Sequence, residues 1–256
     1  MMRTMVVVPT YNEADNLPRL VEALLELDLP DLQIMVVDDR SPDGTGEVAE
    51  ALARAHPGRL IVVHRDGPRG LGPAYLEGFR RALQTGAEAI IQMDADLSHP
   101  PAAFPRMLER MADYHVVVGS RYAPGGQVDP RWGPGRYWLS RWGNFYARAI
   151  LGLQVRDATA GFKCWRRDAL AHIPLDRVRS SGYIFQVEMA YIAQRLGYRV
   201  CEIPIFFEDR RVGRSKMNWR IKIEAALRVW ELRWRYRDLK PIPLSGGTEP
   251  RNRDRR

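Results

Sequence analysis

The sequence predicts an α/β chain built on a largely parallel sheet with helices on both faces. Three observations carry this expectation. Short apolar runs of strand length recur through the first half, the segments between them have helical spacing, and acidic groups gather where adjacent runs end.

Met5–Val8 is the first run, and after a polar turn a helix from about 13 to 27 places Leu17, Leu20, Val21 and Leu24 on one face. Ile34–Val37 is the second, followed by a turn through Pro42 and Gly44 and a helix to about Ala55. Leu60–Val63 and a helix over Ala74–Thr85 form the third unit. Ala89–Met93 and Val116–Gly119 complete the series, with a helix from Pro101 to Met111 between them. A ligand is expected over the strands' carboxyl ends.

The chain of 256 residues, 45% hydrophobic, can bury one substantial core with an appendage. Cys164 and Cys201 are isolated, with no zinc or redox spacing, so a reducing compartment is expected. The start MMRTMVVVPTYNE does not read as a signal peptide, and no run approaches the eighteen apolar residues of a membrane span. The net charge is +8, of which the eight Lys or Arg and three acidic residues from Arg233 to Arg256 supply +5. Such a tail suits an anionic surface. No zinc-finger, helix-turn-helix or RRM pattern accompanies it, so nucleic acid is not an expected partner.

Asp94 and Asp96, in IIQMDADLSHPP, follow a buried strand. Two short carboxylates there supply hard oxygen ligands to a divalent cation against a nucleotide diphosphate, which points to sugar transfer; the alternative is a helix-capping turn. Pro9, Tyr11, Asn12 and Glu13 leave the first strand, and Asp38 and Asp39 the second. Acids there accept hydrogen bonds from a base or a ribose, and Tyr11 offers a flat face. Asp43 and Thr45, in SPDGT, read as a capping turn. PTYNEADN has no glycine, which argues against a dinucleotide-binding fingerprint. GPRGLGPAY, residues 67–75, reads either as a loop passing close to a diphosphate with Arg69 nearby or as an ordinary turn.

Beyond the fifth strand the chemistry turns basic. Arg121 stands at the strand exit, and Arg131, Arg136, Ser140 and Arg141 follow among Trp132, Tyr137, Trp138, Trp142, Phe145 and Tyr146. Arg136 and Ser140, four apart on a helix, share a face suited to gripping a phosphate, and the aromatics suit a greasy chain at a membrane interface. Asp157, Thr159, Gly161 and Phe162 read as a tight turn before a helix. Gln186 and Glu188 are candidates to face a sugar or the metal, with Phe185 in the core. Arg210, Arg211, Arg214 and Lys216 fall on a loop broken by Gly213, which could close over phosphates. From Trp219 to Tyr236 an amphipathic helix carries Trp219, Ile223, Leu227, Trp230 and Trp234 at helical spacing, suited either to a membrane surface or to docking on the domain or a partner.

VVVPTYNEADNL, VVDDRSPDGT, GLGPAY, MDADLSHPP, GSRYAPGG, RDATAGFKCWRRDAL, GYIFQVEM and DRRVGRSKM together resemble the blocks of dolichol- or polyprenol-phosphate mannose synthases, inverting family 2 glycosyltransferases with the GT-A fold. The resemblance spans roughly residues 4 to 218. It implies mannose transfer from GDP-mannose to a polyprenyl (dolichyl) phosphate with Mg²⁺ or Mn²⁺. Asp94 and Asp96 would hold the metal, and Pro9, Tyr11, Glu13, Asp39, Asp94, Ala95 and Asp96 the sugar nucleotide. Arg121, Arg136, Ser140, Arg211 and Lys216 would bind the acceptor phosphate, and the catalytic set would be Asp94, Asp96, Arg121 and Arg211. Relatives often have Gln where this chain has Ser98, whose shorter reach implies coordination through water.

The expected organisation is a catalytic unit over 1–218, a basic amphipathic helix over 219–240 and a disordered tail over 241–256. The expected location is cytoplasmic, peripheral on the inner face of the plasma membrane, held by an anionic surface or a separate membrane protein. The rival readings are a glucosyltransferase using UDP-glucose and a non-catalytic scaffold.

Overall fold

The structure, a computed structural model, describes residues 2–209 and 219–243. Five strands fall where apolar runs predict them: β1 (Thr4–Thr10), β2 (Leu32–Asp38), β3 (Leu60–His64), β4 (Ala89–Gln92) and β5 (Val116–Ser120). Two short strands, β6 (Gln127–Val128) and β9 (Phe206–Phe207), pair with each other, and β7 (Lys163–Arg166) and β8 (Val200–Pro204) join the main sheet. Its order is β3-β2-β1-β4-β7-β5-β8, with β7 alone antiparallel to its neighbours.

The expected five-strand series is therefore too short. β7 escapes detection because its four residues KCWR begin and end in a cation, and β8 carries Glu202, which accepts the amides of Arg156 and Asp157. The turn expected over 157–162 leads into β7, not directly into a helix.

The parallel strands alternate between two apolar layers. Met5, Val7, Met35 and Val37 face α3 (Leu71–Gln84) and α7 (Gly182–Arg195), while Val6, Val8, Ile34 and Val36 face α1 (Leu17–Leu25), α2 (Thr45–Ala55) and α4 (Phe104–Arg110). α1 starts later than expected because residues 13–16 close a turn, Asn16 and Leu17 both donating to the Glu13 carbonyl. α3 lies directly on the sheet at Gly78, where a Cβ would fall 2.3 Å from Val7 Cγ1.

α5 (Pro134–Leu151), α6 (Arg167–His172) and α8 (Trp219–Arg235) complete the α-helices among the described residues. α8 packs against α5 and α7 through buried Val229 and Leu232, with Tyr236 buried just beyond its end. Glu188 is the anchor, because its fully buried carboxylate accepts from Arg235 Nη1 (3.1 Å), the Tyr236 hydroxyl (2.7 Å) and the Ser180 amide (3.0 Å). A buried carboxylate needs such pairing, so Glu188 serves the C-terminal helix and not a sugar or metal. The stripe expected to be apolar contact surface is the outward face: Leu227, Trp230 and Trp234 are exposed, while the side chains of Trp219 and Ile223 lie outside the described residues. Past the helix, the Ile242 amide donates to Leu196 O at 3.0 Å, so the expected tail begins as a strap on α7.

Candidate active site

All strand exits except that of β7 lie along one edge of the sheet, and β7 begins there. Pro9 is buried within β1 and Tyr11 is exposed just beyond it, with the Arg69 guanidinium 4.8 Å from its ring centroid and donating to its hydroxyl at 2.8 Å. Glu13 donates its amide to Thr45 Oγ1 (2.9 Å) and accepts from Asn16 Nδ2 (2.7 Å). Asp38 is buried and turned inward, accepting from Thr10, the Ser41 hydroxyl and the Ser41 amide. Asp39 pairs with Arg65 and accepts the Gly70 amide at 2.8 Å, which draws the glycine loop onto the second strand's exit. Gly72, in the first turn of α3, answers to packing, since a Cβ would lie 2.3 Å from Ser180 O. Asp43 accepts the amide and hydroxyl of Thr45 and the amide of Ala14, the structural part expected of it.

Beyond β4, Asp94 is half-buried, and Ala95 and Asp96 are buried. Asp94 Oδ1 accepts the Tyr75 hydroxyl at 2.9 Å; burial and then the Asp94 charge push the Tyr75 phenol well above its usual range, so it stays a donor. Tyr75 lies parallel to the Phe185 ring, 5.7 Å away. Asp96 Oδ1 accepts the Ser98 hydroxyl (2.6 Å) and amide (3.1 Å), so Ser98 positions the carboxylate. Leu97 turns through φ 62° to permit this. The Asp94 amide donates to His99 Nδ1 at 3.0 Å, and His99 stacks on Phe162.

Beneath the edge lies a polar cluster that periodicity misses. Lys163 is fully buried; its ammonium donates to Ala160 O and to Gln186 Oε1 (2.8 Å). Gln92 donates to Gln186 Oε1 and Gly161 O, and accepts from Trp165 Nε1 at 2.9 Å. Burial depresses the Lys163 amine to about 7, with Asp157 and then Asp94 acting against that shift. Gln186 thus braces Lys163 from below, in place of the expected sugar or metal contact. Gln92 was open to detection as a polar residue within an apolar strand; Lys163, in the undetected β7, and Tyr75 and His99 carried no signal of their own.

Arg121 is 8% exposed and held by Asp157 through Nε–Oδ2 (2.8 Å) and Nη2–Oδ1 (2.7 Å), with Thr159 Oγ1 2.8 Å from Nη2. Burial opposes its charge, but Asp157 more than offsets this and raises the guanidinium above its ordinary value. Its Nη1 has no partner among the described residues. Arg121 and Arg141 both line a cavity of about 430 Å³ walled by Tyr122, Tyr137, Gln127 and Val128. Arg141 lies over the Tyr122 and Tyr137 rings and has no carboxylate partner among the described residues. The expected pair is arranged differently: Arg136 donates to Asp209 Oδ1 at 2.7 Å and stacks on Trp132, while Ser140 accepts the Tyr122 hydroxyl. Arg131 pairs with Asp129. Arg210, Arg211, Arg214 and Lys216 lie outside the described residues.

The donor set at β4 fits a hard divalent cation. Among the described residues no group of three or more His, Cys, Asp or Glu side chains could hold a metal; Asp94 and Asp96, two positions apart beyond β4, are two carboxylates that could share one with a ligand. Two carboxylates with the remaining positions left to phosphate oxygens and water is how Mg²⁺-type ions are held on nucleotides. Among the described residues no helix is long and apolar enough to cross a membrane. Trp138, Trp142 and Phe145 of α5 are nevertheless exposed, as are Leu227, Trp230 and Trp234 of the α8 packed against it.

This mixed sheet, with an acidic pair beyond a central strand, is the GT-A architecture of nucleotide-sugar transferases. Glucosyl-3-phosphoglycerate synthase from Mycobacterium tuberculosis, in complex with Mn²⁺, UDP and glucosyl-3-phosphoglycerate, matches with a TM-score of 0.65 at 18% identity, over 96% of this chain and 82% of that one. A mannosyltransferase from Pyrobaculum calidifontis, in complex with GDP-Man and Mn²⁺, matches with a TM-score of 0.63 at 23% identity, over 94% and 66%. The sequence family described as glycosyl transferase family 2 matches residues 5–173. An undecaprenyl-phosphate mannosyltransferase of Micrococcus luteus is 42% identical over 93% of this chain and 98% of its own length. A polyprenol monophosphomannose synthase of Mycolicibacterium smegmatis is 44% identical over 91% and 88%. The chain belongs to glycosyl transferase family 2, in the branch of these polyprenyl-phosphate mannosyltransferases.

Proposed function

We propose that this protein transfers mannose from GDP-mannose to a polyprenyl phosphate, with inversion at the anomeric carbon. The observation that carries the reading is the meeting, at one sheet edge, of the Asp94 and Asp96 carboxylates with a cavity lined by Arg121 and Arg141. The likeness to the two polyprenyl-phosphate relatives supports the same donor and acceptor.

Asp94 and Asp96 would hold Mg²⁺ or Mn²⁺, which when bound neutralises charge on the departing diphosphate. Pro9, Tyr11, Glu13, Asp39 and Ala95 border the nucleotide. Tyr75 and Ser98 hold the two carboxylates in place. Arg121, its Nε and Nη2 fixed by Asp157 and Thr159, keeps Nη1 for the acceptor phosphate. Arg141 supplies a charge that no carboxylate among the described residues neutralises, Arg136 and Ser140 shape the wall, and Arg211 and Lys216 belong to the same basic set. An anionic phosphate needs no general base; the arginines align its oxygen behind the anomeric carbon for direct displacement.

Residues 1–218 form the catalytic unit in this reading, and the following helix joins α5 in a surface that rests on an anionic membrane. Trp and Phe at the interface with Arg alongside match that environment. The inner face of the plasma membrane is the location, with or without a membrane partner.

Incubating the protein with Mn²⁺, polyprenyl phosphate and radiolabelled GDP-mannose or UDP-glucose tests the proposal. Lipid-extractable label from GDP-mannose is the expected result; label from UDP-glucose alone overturns the mannose assignment. No transfer from either, with no cation-dependent GDP binding, supports the scaffold reading.

A further inference from the structure

His99 has two nitrogens, and the fold uses one of them. Nδ1 accepts the Asp94 amide at 3.0 Å, so it carries a lone pair, and in the neutral ring the proton resides on Nε2. The residue is 2% exposed. Stacking on Phe162 and an edge contact with Phe207 fix the plane of the ring. Nε2–H has no partner among the described residues. The nitrogen is therefore left open to an oxygen that the protein does not supply.

Gly161 lies close against the ring and against Asp94. A Cβ there would fall 3.1 Å from His99 Cε1, 3.5 Å from Nε2 and 3.4 Å from Asp94 Oδ2. Gly161 has no positive φ to explain the absence of a side chain. Glycine at 161 therefore keeps a side chain from crowding both the fixed N–H and Asp94 Oδ2.

The geometry points to His99 as a donor-substrate ligand: its Nε2–H holds an oxygen of the sugar nucleotide, either a hydroxyl of the transferred sugar or a phosphoryl oxygen, beside Gly161 and Asp94. This rests on the nucleotide-sugar transferase reading and adds a binding residue to it. Through Nδ1 the same ring fixes the Asp94 backbone, so one side chain couples the acidic pair to the group being transferred.

The two nitrogens are separable by substitution. His99→Asn keeps an acceptor at the δ position and removes the ε donor, whereas His99→Gln keeps an ε donor and gives up the δ acceptor. Calorimetric titration of both variants and the wild type with GDP and with GDP-mannose, in Mn²⁺, reads the two roles apart. Losing one hydrogen bond to a bound oxygen weakens affinity by about tenfold. GDP-mannose binding about tenfold weaker in His99→Asn with GDP unchanged assigns the contact to the sugar; the same loss for both ligands assigns it to a phosphoryl oxygen. In either case His99→Gln is expected to bind at least about threefold more tightly than His99→Asn, and Gly161→Ala to weaken the same ligand. Wild-type affinity of His99→Asn for both ligands overturns the proposal, as does an equal loss in His99→Asn and His99→Gln. A wild type that binds UDP-glucose and not GDP-mannose overturns the mannose reading instead, and the same series with UDP and UDP-glucose then decides the role of His99.

Discussion

Arg121 and Asp157 face each other as a fork, Nε to Oδ2 at 2.8 Å and Nη2 to Oδ1 at 2.7 Å, with the carboxylate fully buried. Removing one partner of a buried pair strands the other, at a cost of about 3–5 kcal/mol. Asp157→Asn is therefore expected to lower stability by about that amount in urea unfolding at pH 7. Burial acts to raise the Asp157 carboxyl, but the Arg121 charge and hydrogen bonds prevail and hold it below its ordinary value. Its stabilisation is present above the usual carboxylate pKa and disappears as pH falls through the depressed one. The difference between wild type and variant should shrink below about pH 4; a constant difference would falsify this account of the pair.

Lys163 gives the opposite dependence. Its amine titrates near 7 when folded, against about 10.4 in an unfolded chain. Between those values the unfolded chain holds a proton that the native state has given up, so stability rises with pH across the window and is lowest below it. Lys163→Met removes this slope. The stability of the wild type minus that of the variant is expected to rise by about 1 kcal/mol per pH unit between pH 7 and 9. An unchanged difference would mean that the amine stays charged in the native state.

The exposed Trp142 of α5 and Trp234 of α8 predict membrane adsorption. Burial of an aromatic side chain contributes about 1.5–3 kcal/mol. Trp142→Ser combined with Trp234→Ser should lower partitioning onto phosphatidylglycerol-rich vesicles by more than about tenfold. Binding of GDP with Mn²⁺ should be unaffected. Equal sedimentation of variant and wild type with the vesicles would leave this face without a membrane role.

Gly78 sets how closely α3 approaches the sheet. Alanine is the better helix former by about 1 kcal/mol, yet its Cβ would fall 2.3 Å from Val7 Cγ1 and 3.2 Å from Val37 Cγ2. Overpacking is expected to win, leaving Gly78→Ala less stable by about 1–3 kcal/mol. Adding Val7→Ala should recover part of the loss. A stabilised single variant would show that α3 can move away from β1 without cost.

The parallel part of the fold was legible because strands buried on both faces must be apolar throughout, and Met5–Val8 or Ile34–Val37 can hardly be read otherwise. β7 was not, because Lys163 is tolerated inside only through Gln186 and Ala160 O, partners that folding alone supplies. The acidic pair was legible from its spacing and from the strand before it. Its supports were not: Tyr75 reaches Asp94 from α3, and nothing local to either residue announces the contact. Arg121 was found as a strand-exit cation, whereas the free charge of the neighbouring cavity rests with Arg141 more than with the anticipated Arg136, which Asp209 neutralises. In α8 the periodicity was correct and its meaning ambiguous, since Trp230 and Trp234 mark the outer face while Val229 and Leu232 make the join.

The reversed direction of β7 makes the middle of the sheet intolerant of slippage. Lys163 stands opposite Gln92 and Val118, and Cys164 opposite Ile91 and Val117. Sliding the strand by one position would exchange the two, driving an ammonium into a greasy layer and a thiol into the polar cluster. Correct alignment of β4 with β5 across β7 is thus proofread by a single misfit, as the chain folds.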